Sequence, residues 1–155
     1  MKLLKTRRSL ALLSSLLLVC FADWSRAAEK NPQSVYVTIR SILAANQSDE
    51  FDAKLKGLEQ QLKSLKHRSY RSLRDESKTV PWQGAQSFEI PGGRRLIVTP
   101  QDFQDRRIAL KVRLTENDQP IVDTTVKIPN KGNFILGGPP HEGGVLVLSI
   151  SASVR

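Results

Sequence analysis

The sequence predicts an α+β fold, in which one amphipathic helix packs on one face of an antiparallel β-meander or small sandwich. Three observations support this prediction. Short runs of alternating apolar and polar residues recur along the chain, glycines and prolines separate these runs, and one segment has helical spacing instead. Strands that follow one another with a single helix beside them are typical of α+β domains.

The first 27 residues are predicted to form a secretory signal peptide, and 28–34 a polar lead-in. Four basic residues precede an apolar run from Leu10 to Phe21, and Ser25 and Ala27 are the small residues that a signal peptidase selects. The apolar run is short for a bilayer-spanning helix, which needs about 20 residues. We therefore expect an exported protein, periplasmic or extracellular, with no transmembrane span once the leader is cleaved.

Other routes stay open for this leader. The stretch TRRSLAL resembles a twin-arginine export signal, and LLVC, ending at Cys20, resembles a lipoprotein lipobox. Val19 stands where the lipobox has a small residue, which favours cleavage after Ala27. That cleavage removes Cys20, the single cysteine, so the exported domain would have no disulfide and no thiolate ligand. An uncleaved membrane anchor is the remaining alternative.

Residues 35–155 are expected to form a single β-rich domain that begins with a strand and a helix. In VYVTIRSIL, apolar Val35, Val37 and Ile39 alternate with polar or larger residues, which indicates a strand. A helix near 49–66 follows, with Ser48 or Asp49 as its cap. Its apolar residues are spaced four and three apart and so share one stripe: Phe51, Leu55, Leu58, Leu62 and Leu65.

About seven strands are predicted after the helix. HRSYRSLRD is an irregular strand, and ESKTVPWQG reads as a loop because of its proline and glycine. AQSFEI and RRLIVT flank the hairpin turn PGG at 91–93. RIALKVRL, IVDTTVKI, NFIL and VLVLSISA complete the set. The stretch GGPPHEGG between the last two is predicted to be an exposed hairpin tip.

Several stretches resemble a group of small, uncharacterised secreted bacterial proteins. The shared features are the leader, the leucine-striped helix, a Ser-Tyr-Arg strand at 69–71, and the two hairpins in IPGGRRLIVTP and ILGGPPHEGGVLVLSISA. This resemblance covers nearly the whole chain after the leader and implies no activity or site. GNFILGG is also similar to the strand-Gly-Gly pattern of secretins, the outer-membrane rings of secretion systems, which implies a role in the envelope.

The sequence contains no recognisable catalytic motif. A phosphate loop needs glycines leading into a helix, and a Gly-x-Ser-x-Gly elbow is absent. His141 and Glu142 are adjacent, but a zinc site needs three or four ligands. We therefore expect a protein that is not an enzyme and has no cofactor or metal. The alternative is a small secreted hydrolase whose site is built from His141, Glu142 and Asp123.

The candidate contact residues are mostly basic. The whole chain carries a net charge of +9, while 28–155 hold 19 Lys or Arg and 14 Asp or Glu, a mild preference for anionic surfaces. Few aromatic residues interleave with the basic ones, so no nucleic acid is expected. Charges on outer strand faces also deter sheet aggregation, which is the simpler interpretation. The predicted partner contacts are Trp82, Arg94, Arg95, Arg107, Lys111 and Arg113.

Together these patterns predict a non-enzymatic exported envelope module. It would bind or assemble with an envelope protein or with an anionic envelope surface.

Overall fold

A computed structural model describes residues 33–155 of the chain. The predicted signal peptide, its twin-arginine and lipobox motifs, and most of the polar lead-in lie outside the described residues. Within 33–155, no helix is long and apolar enough to cross a membrane.

Residues 33–155 form eight strands and one short helical segment. The helical segment is a 3₁₀ helix, Ala53–Leu58, that continues into α1, Glu59–Lys63. The strands are β1 Ser34–Ala45, β2 Ser69–Pro81, β3 Gln86–Ile90, β4 Arg94–Gln104, β5 Arg107–Glu116, β6 Gln119–Pro129, β7 Gly132–His141 and β8 Gly144–Val154.

The strands form two four-stranded sheets that pack as a sandwich. Sheet I has the order β2-β1-β8-β7 and sheet II the order β3-β4-β5-β6, and all neighbouring strands are antiparallel. The chain builds one half of sheet I, crosses to sheet II for a four-strand meander, and returns for β7 and β8. The predicted antiparallel α+β architecture with a helix on one face is thereby confirmed.

Alternation along the strands fills the space between the sheets. Because side chains of a strand point alternately to its two faces, every second residue of β5 enters the core. Ile108, Leu110, Val112 and Leu114 are all fully buried, and Phe88 from β3 packs with them. From sheet I, the buried contributors are Val35, Val37, Ile39, Leu146, Leu148, Ile150 and Ala152.

A second, smaller core lies under the helical segment on the outer face of sheet I. Leu55 and Leu62 are fully buried there against Ile42 of β1 and Val147 of β8. The hydroxyl of Tyr70 donates to the carbonyl of Leu62. The helix therefore covers one end of this face, as its apolar stripe predicts.

The helix is shorter than the predicted 49–66. Residues before Asp52 are extended, since the amide of Tyr70 donates to the carbonyl of Glu50 at 3.0 Å. The cap is Asp52, whose carboxylate accepts from the amide of Lys54 at 2.9 Å, so the prediction of Ser48 or Asp49 is wrong. Leu58, at the junction of the two helical types, is only half-buried.

Two predicted loops are largely strand. Residues 76–81 of the presumed loop ESKTVPWQG belong to β2, and most of GGPPHEGG belongs to β7, whose turn is only Glu142 and Gly143. Both stretches run along sheet edges, where an exposed strand needs no apolar alternation. The PGG turn at 91–93 is confirmed, with positive φ angles at Gly92 and Gly93.

Candidate functional site

The outer face of sheet II carries the predicted basic residues of β5. Since Ile108, Leu110, Val112 and Leu114 point inward, Arg107, Lys111 and Arg113 point outward, and all three are exposed. Arg95 of β4 is exposed on the same face, opposite Thr115 of β5. We call Arg95, Arg107, Lys111 and Arg113 the basic face.

Strand register sets the neighbours of each basic side chain. Lys111 lies between Thr99 of β4 and Thr125 of β6. Arg113 lies between Ile97 and Asp123. Directly opposite side chains on one face of antiparallel strands are about 5 Å apart at Cβ, which allows contact. Lys111 is thus surrounded by hydroxyl groups, while Arg113 meets a carboxylate.

Only part of the charge on the basic face is neutralised. Arg113 forms an ion pair with Asp123 at 2.9 Å, and Arg95 approaches Glu89 at 3.9 Å. Arg107 and Lys111 make no ion pair with any of the residues 33–155. Two exposed cations therefore remain available to an outside anion.

A shallow depression marks the centre of this face. Ile97, Thr99, Lys111 and Arg113 line it, and its volume is about 180 Å³. Pockets for drug-sized molecules usually have about 300–1,000 Å³. The depression instead suits one small anionic group, with an ammonium, a guanidinium and a hydroxyl as donors.

Arg94 is not part of the basic face, and its prediction as an exposed contact is wrong. Its side chain is 9% exposed and donates to Glu116 at 3.0 Å and to the carbonyl of Pro91 at 3.1 Å. The reason is strand alternation, since Arg94 shares the inward side of β4 with Leu96 and Val98. The spacing of these three residues in the sequence is the signal that could have revealed this.

His141 and Glu142 do not form the predicted exposed pair. The side chain of His141 is only 12% exposed, because Arg94 covers it, whereas that of Glu142 is 63% exposed. Nε2 of His141 lies 3.8 Å from the Glu142 carboxylate, which exceeds hydrogen-bond length.

The residues of the hydrolase alternative are not brought together. Asp123 bonds to Arg113 on the outer face of sheet II, while His141 bonds to Arg94 at the end of the sandwich. Among the described residues, no group of three or more His, Cys, Asp or Glu side chains could hold a metal ion.

Trp82 follows β2, where the chain crosses to sheet II. It is half-buried and packs against the core between the sheets. Part of its surface therefore serves the fold, and the remainder is the area it could offer to a partner.

A hydroxyl-rich surface on sheet I was missed by the sequence interpretation. Where the helix does not cover sheet I, Thr38 lies between Ser77 and Ser151, and Tyr36 lies between Thr79 and Ser153. The guanidinium of Arg155 lies over the Tyr36 ring, 4.0 Å from its centre. The alternation of serines with Leu148, Ile150 and Ala152 in the sequence is the signal for this face.

Comparison of the chain with protein-family models, curated proteins and solved structures finds no match. The resemblances to small secreted bacterial proteins and to secretins therefore remain predictions. What the fold and the site define is a two-sheet β-sandwich that carries a cationic face on one sheet.

Proposed function

We propose that the protein is a non-enzymatic exported module that binds an anionic component of the bacterial envelope through the basic face of sheet II. The observation that carries the proposal is that Arg107 and Lys111 are exposed on one strand with no ion pair among residues 33–155. An exposed cation without a protein partner attracts anions from solution, and several together strengthen that attraction.

The geometry of β5 favours an extended anionic surface over a small enclosed ligand. Residues two apart on a strand are about 7 Å apart, so Arg107, Lys111 and Arg113 form a row roughly 20 Å long. Such a row can contact repeated phosphate or carboxylate groups, which both anionic lipid headgroups and acidic polysaccharides present. Exposed ion pairs contribute about 1 kcal/mol or less, so Asp123 is a weak competitor for Arg113.

Vesicle binding tests this function. Vesicles of phosphatidylglycerol and phosphatidylcholine should sediment with the protein, whereas vesicles of phosphatidylcholine alone should not. Added salt should weaken the binding, because screening acts on exposed charges. An acidic polysaccharide added as competitor distinguishes the two sources of anions. Displacement of the protein from the vesicles would show that the basic face accepts either source, and no displacement would show that it prefers the lipid headgroups.

A matched pair of variants assigns the binding to this face. Arg107→Gln with Lys111→Gln should reduce vesicle binding by about thirtyfold, since each basic residue near an anionic membrane contributes about 1 kcal/mol. Lys54→Gln with Lys56→Gln removes the same charge from the helical segment on the opposite side of the sandwich and should change little. Equal effects of the two double variants would contradict the proposal.

Export is the second part of the proposal, and the leader pattern supports it. The secreted form should begin near Ala28 and carry no acyl chain. Mass spectrometry of the protein recovered from the producing cells measures both. An acylated N-terminal Cys20 would show lipoprotein processing instead.

A further inference from the structure

Two open sheets leave four edge strands, namely β2 and β7 in sheet I and β3 and β6 in sheet II. An unprotected edge presents unpaired backbone groups that can pair with another chain. In β3, side chains from β2 protect the edge. Glu76 accepts from the amide of Glu89 at 3.0 Å, and the ammonium of Lys78 donates to the carbonyl of Ser87.

Both edges of sheet I are protected as well. The backbone of Tyr70, at the start of β2, bonds to Glu50 and Asp52 at 3.0 and 2.9 Å. Further along, charged residues and a register shift interrupt the edge of β2. β7 has a register shift between Gly137 and Pro140, and its prolines lack amide donors.

Over its central part the edge of β6 lacks the covering hydrogen bonds, prolines and register shifts of the other edges, and its charged residues there are Asp123 and Lys127. The register shift of this strand falls at Ile121, and from Val122 to Ile128 the strand contains no proline, no glycine and no shift, with five of its seven residues β-branched. Within 33–155, no hydrogen bond reaches the backbone of this stretch from its free side. Ile121 is also one of two exposed large apolar side chains in the described chain, at 42%.

The charges of β6 complement each other in a two-fold arrangement. If β6 pairs with itself in antiparallel fashion about Thr125, then Asp123 of each copy lies directly opposite Lys127 of the other. Oppositely charged cross-strand pairs stabilise a sheet, and this pair would occur twice. The same register brings Ile121, at the register shift of β6, near Pro129 of the other copy.

We propose that the protein forms a symmetric dimer by antiparallel pairing of β6 with β6 of a second copy, centred on Thr125. The partner is a second copy because the charge order along β6 matches itself in this one register. The dimer joins both copies of sheet II into one eight-stranded sheet and places the two basic faces side by side. Asp123 and Lys127 lie on the same outer face of sheet II as the basic face, but the dimer is measured by its mass and anion binding by vesicle sedimentation, so the two proposals can fail separately.

Sedimentation equilibrium over a series of concentrations tests the dimer. The purified wild-type protein should approach twice the monomer mass as the concentration rises. Lys127→Asp should weaken the association by about tenfold, because two like-charged pairs replace two attractive ones. Within 33–155 Lys127 forms no ion pair and faces Ala109 on β5, so the change breaks no ion pair of the subunit. Lys56→Asp is the control, with the same charge change on the helical segment.

A charge-exchange mixture tests the register itself. Asp123→Lys should weaken the association similarly, because its new ammonium group faces Lys127 of the other copy. Mixing it with Lys127→Asp should restore a dimer, since every opposed pair is then attractive. Circular dichroism checks that both variants are folded. If Asp123→Lys does not fold, the association of Lys127→Asp is compared with that of the wild-type protein, and this comparison alone tests the proposal. A wild-type protein that stays monomeric, or a dimer unaffected by Lys127→Asp, would overturn the proposal.

Discussion

The guanidinium of Arg94 lies 3.3 Å from Nδ1 of His141 and connects the two sheets at one end of the sandwich. Another nitrogen of Arg94 donates to the carbonyl of Pro140 at 3.2 Å. Because arginine only donates, Nδ1 of His141 must accept, which places the ring hydrogen on Nε2. The PGG hairpin and the β7–β8 turn are thus held together by polar contacts.

Arg94→Ala should lower the free energy of unfolding by about 2–3 kcal/mol. Hydrogen bonds from a charged group contribute about 1.5–3 kcal/mol, and the substitution also leaves carbonyls without a donor. Arg95→Ala is the matched control, since this neighbour is exposed and should change stability by about 0.5 kcal/mol or less. Urea titration of both variants measures the difference. Equal costs at both positions would show that the buried contacts contribute nothing.

Gly144→Ala should be destabilising by about 1–3 kcal/mol, the usual range for overpacking. A Cβ at Gly144 would lie 2.4 Å from the carbonyl oxygen of Ala44, and backbone cannot move aside cheaply. Gly137→Ala is the control, because a Cβ there meets no atom within 4 Å. The unfolding temperatures of Gly144→Ala and Gly137→Ala measure the difference. A Gly144 variant as stable as the Gly137 variant would contradict the close approach of β8 to β1.

Leu62→Ala should lower the free energy of unfolding by about 2–5 kcal/mol, the usual range for truncation of a fully buried leucine. Leu58→Ala should cost clearly less, because Leu58 is half-buried and its removal leaves a smaller cavity. Denaturant titration of the two variants gives the comparison. If Leu58→Ala were the more damaging, the helical segment would have to be rotated relative to the sheet.

Asp52 should make the stability depend on pH in acid. Hydrogen bonds from the amides of Lys54 and Ser72 lower the pKa of its carboxyl below the ordinary 3.8. The stabilisation is therefore complete above the pKa of the unfolded chain and is lost as the pH falls through the lower folded pKa. Asp52→Asn removes this titration. The stability gap between wild type and variant should narrow between about pH 6 and pH 2. A stability difference between wild type and Asp52→Asn that does not change with pH would contradict a stabilising role of the Asp52 carboxylate.

Prediction from sequence succeeded where a strand has one buried face. In β5, alternation alone identifies the buried Val112 and the exposed Lys111. The same reasoning failed for 76–81 of β2 and for Pro139 and Pro140 in β7, because edge strands can be polar or contain proline on their exposed side. Local patterns carry no information about which edge of a sheet a strand occupies.

Side-chain partners were the second limit of the sequence interpretation. Arg94 and Arg95 are adjacent in the chain, yet one is buried and the other exposed. Alternation places Arg94 on the inward side of β4, but its partners Glu116 and His141 are distant in sequence and reach it only in the folded sandwich. The basic face on β5, by contrast, follows from one strand and was predictable.

The pairing of β1 with β8 has a consequence for the order of folding. Residues 35–44 of β1 pair with 145–154 of β8. These are the two central strands of sheet I, so the sheet cannot be completed until β8 is in place. A chain interrupted before Gly144 would lack Leu146, Leu148 and Ile150 from the core and could not fold stably. Pairing between such distant segments requires a large loop to close first, which slows folding. The nascent chain therefore cannot complete sheet I or the core until this strand has been synthesised.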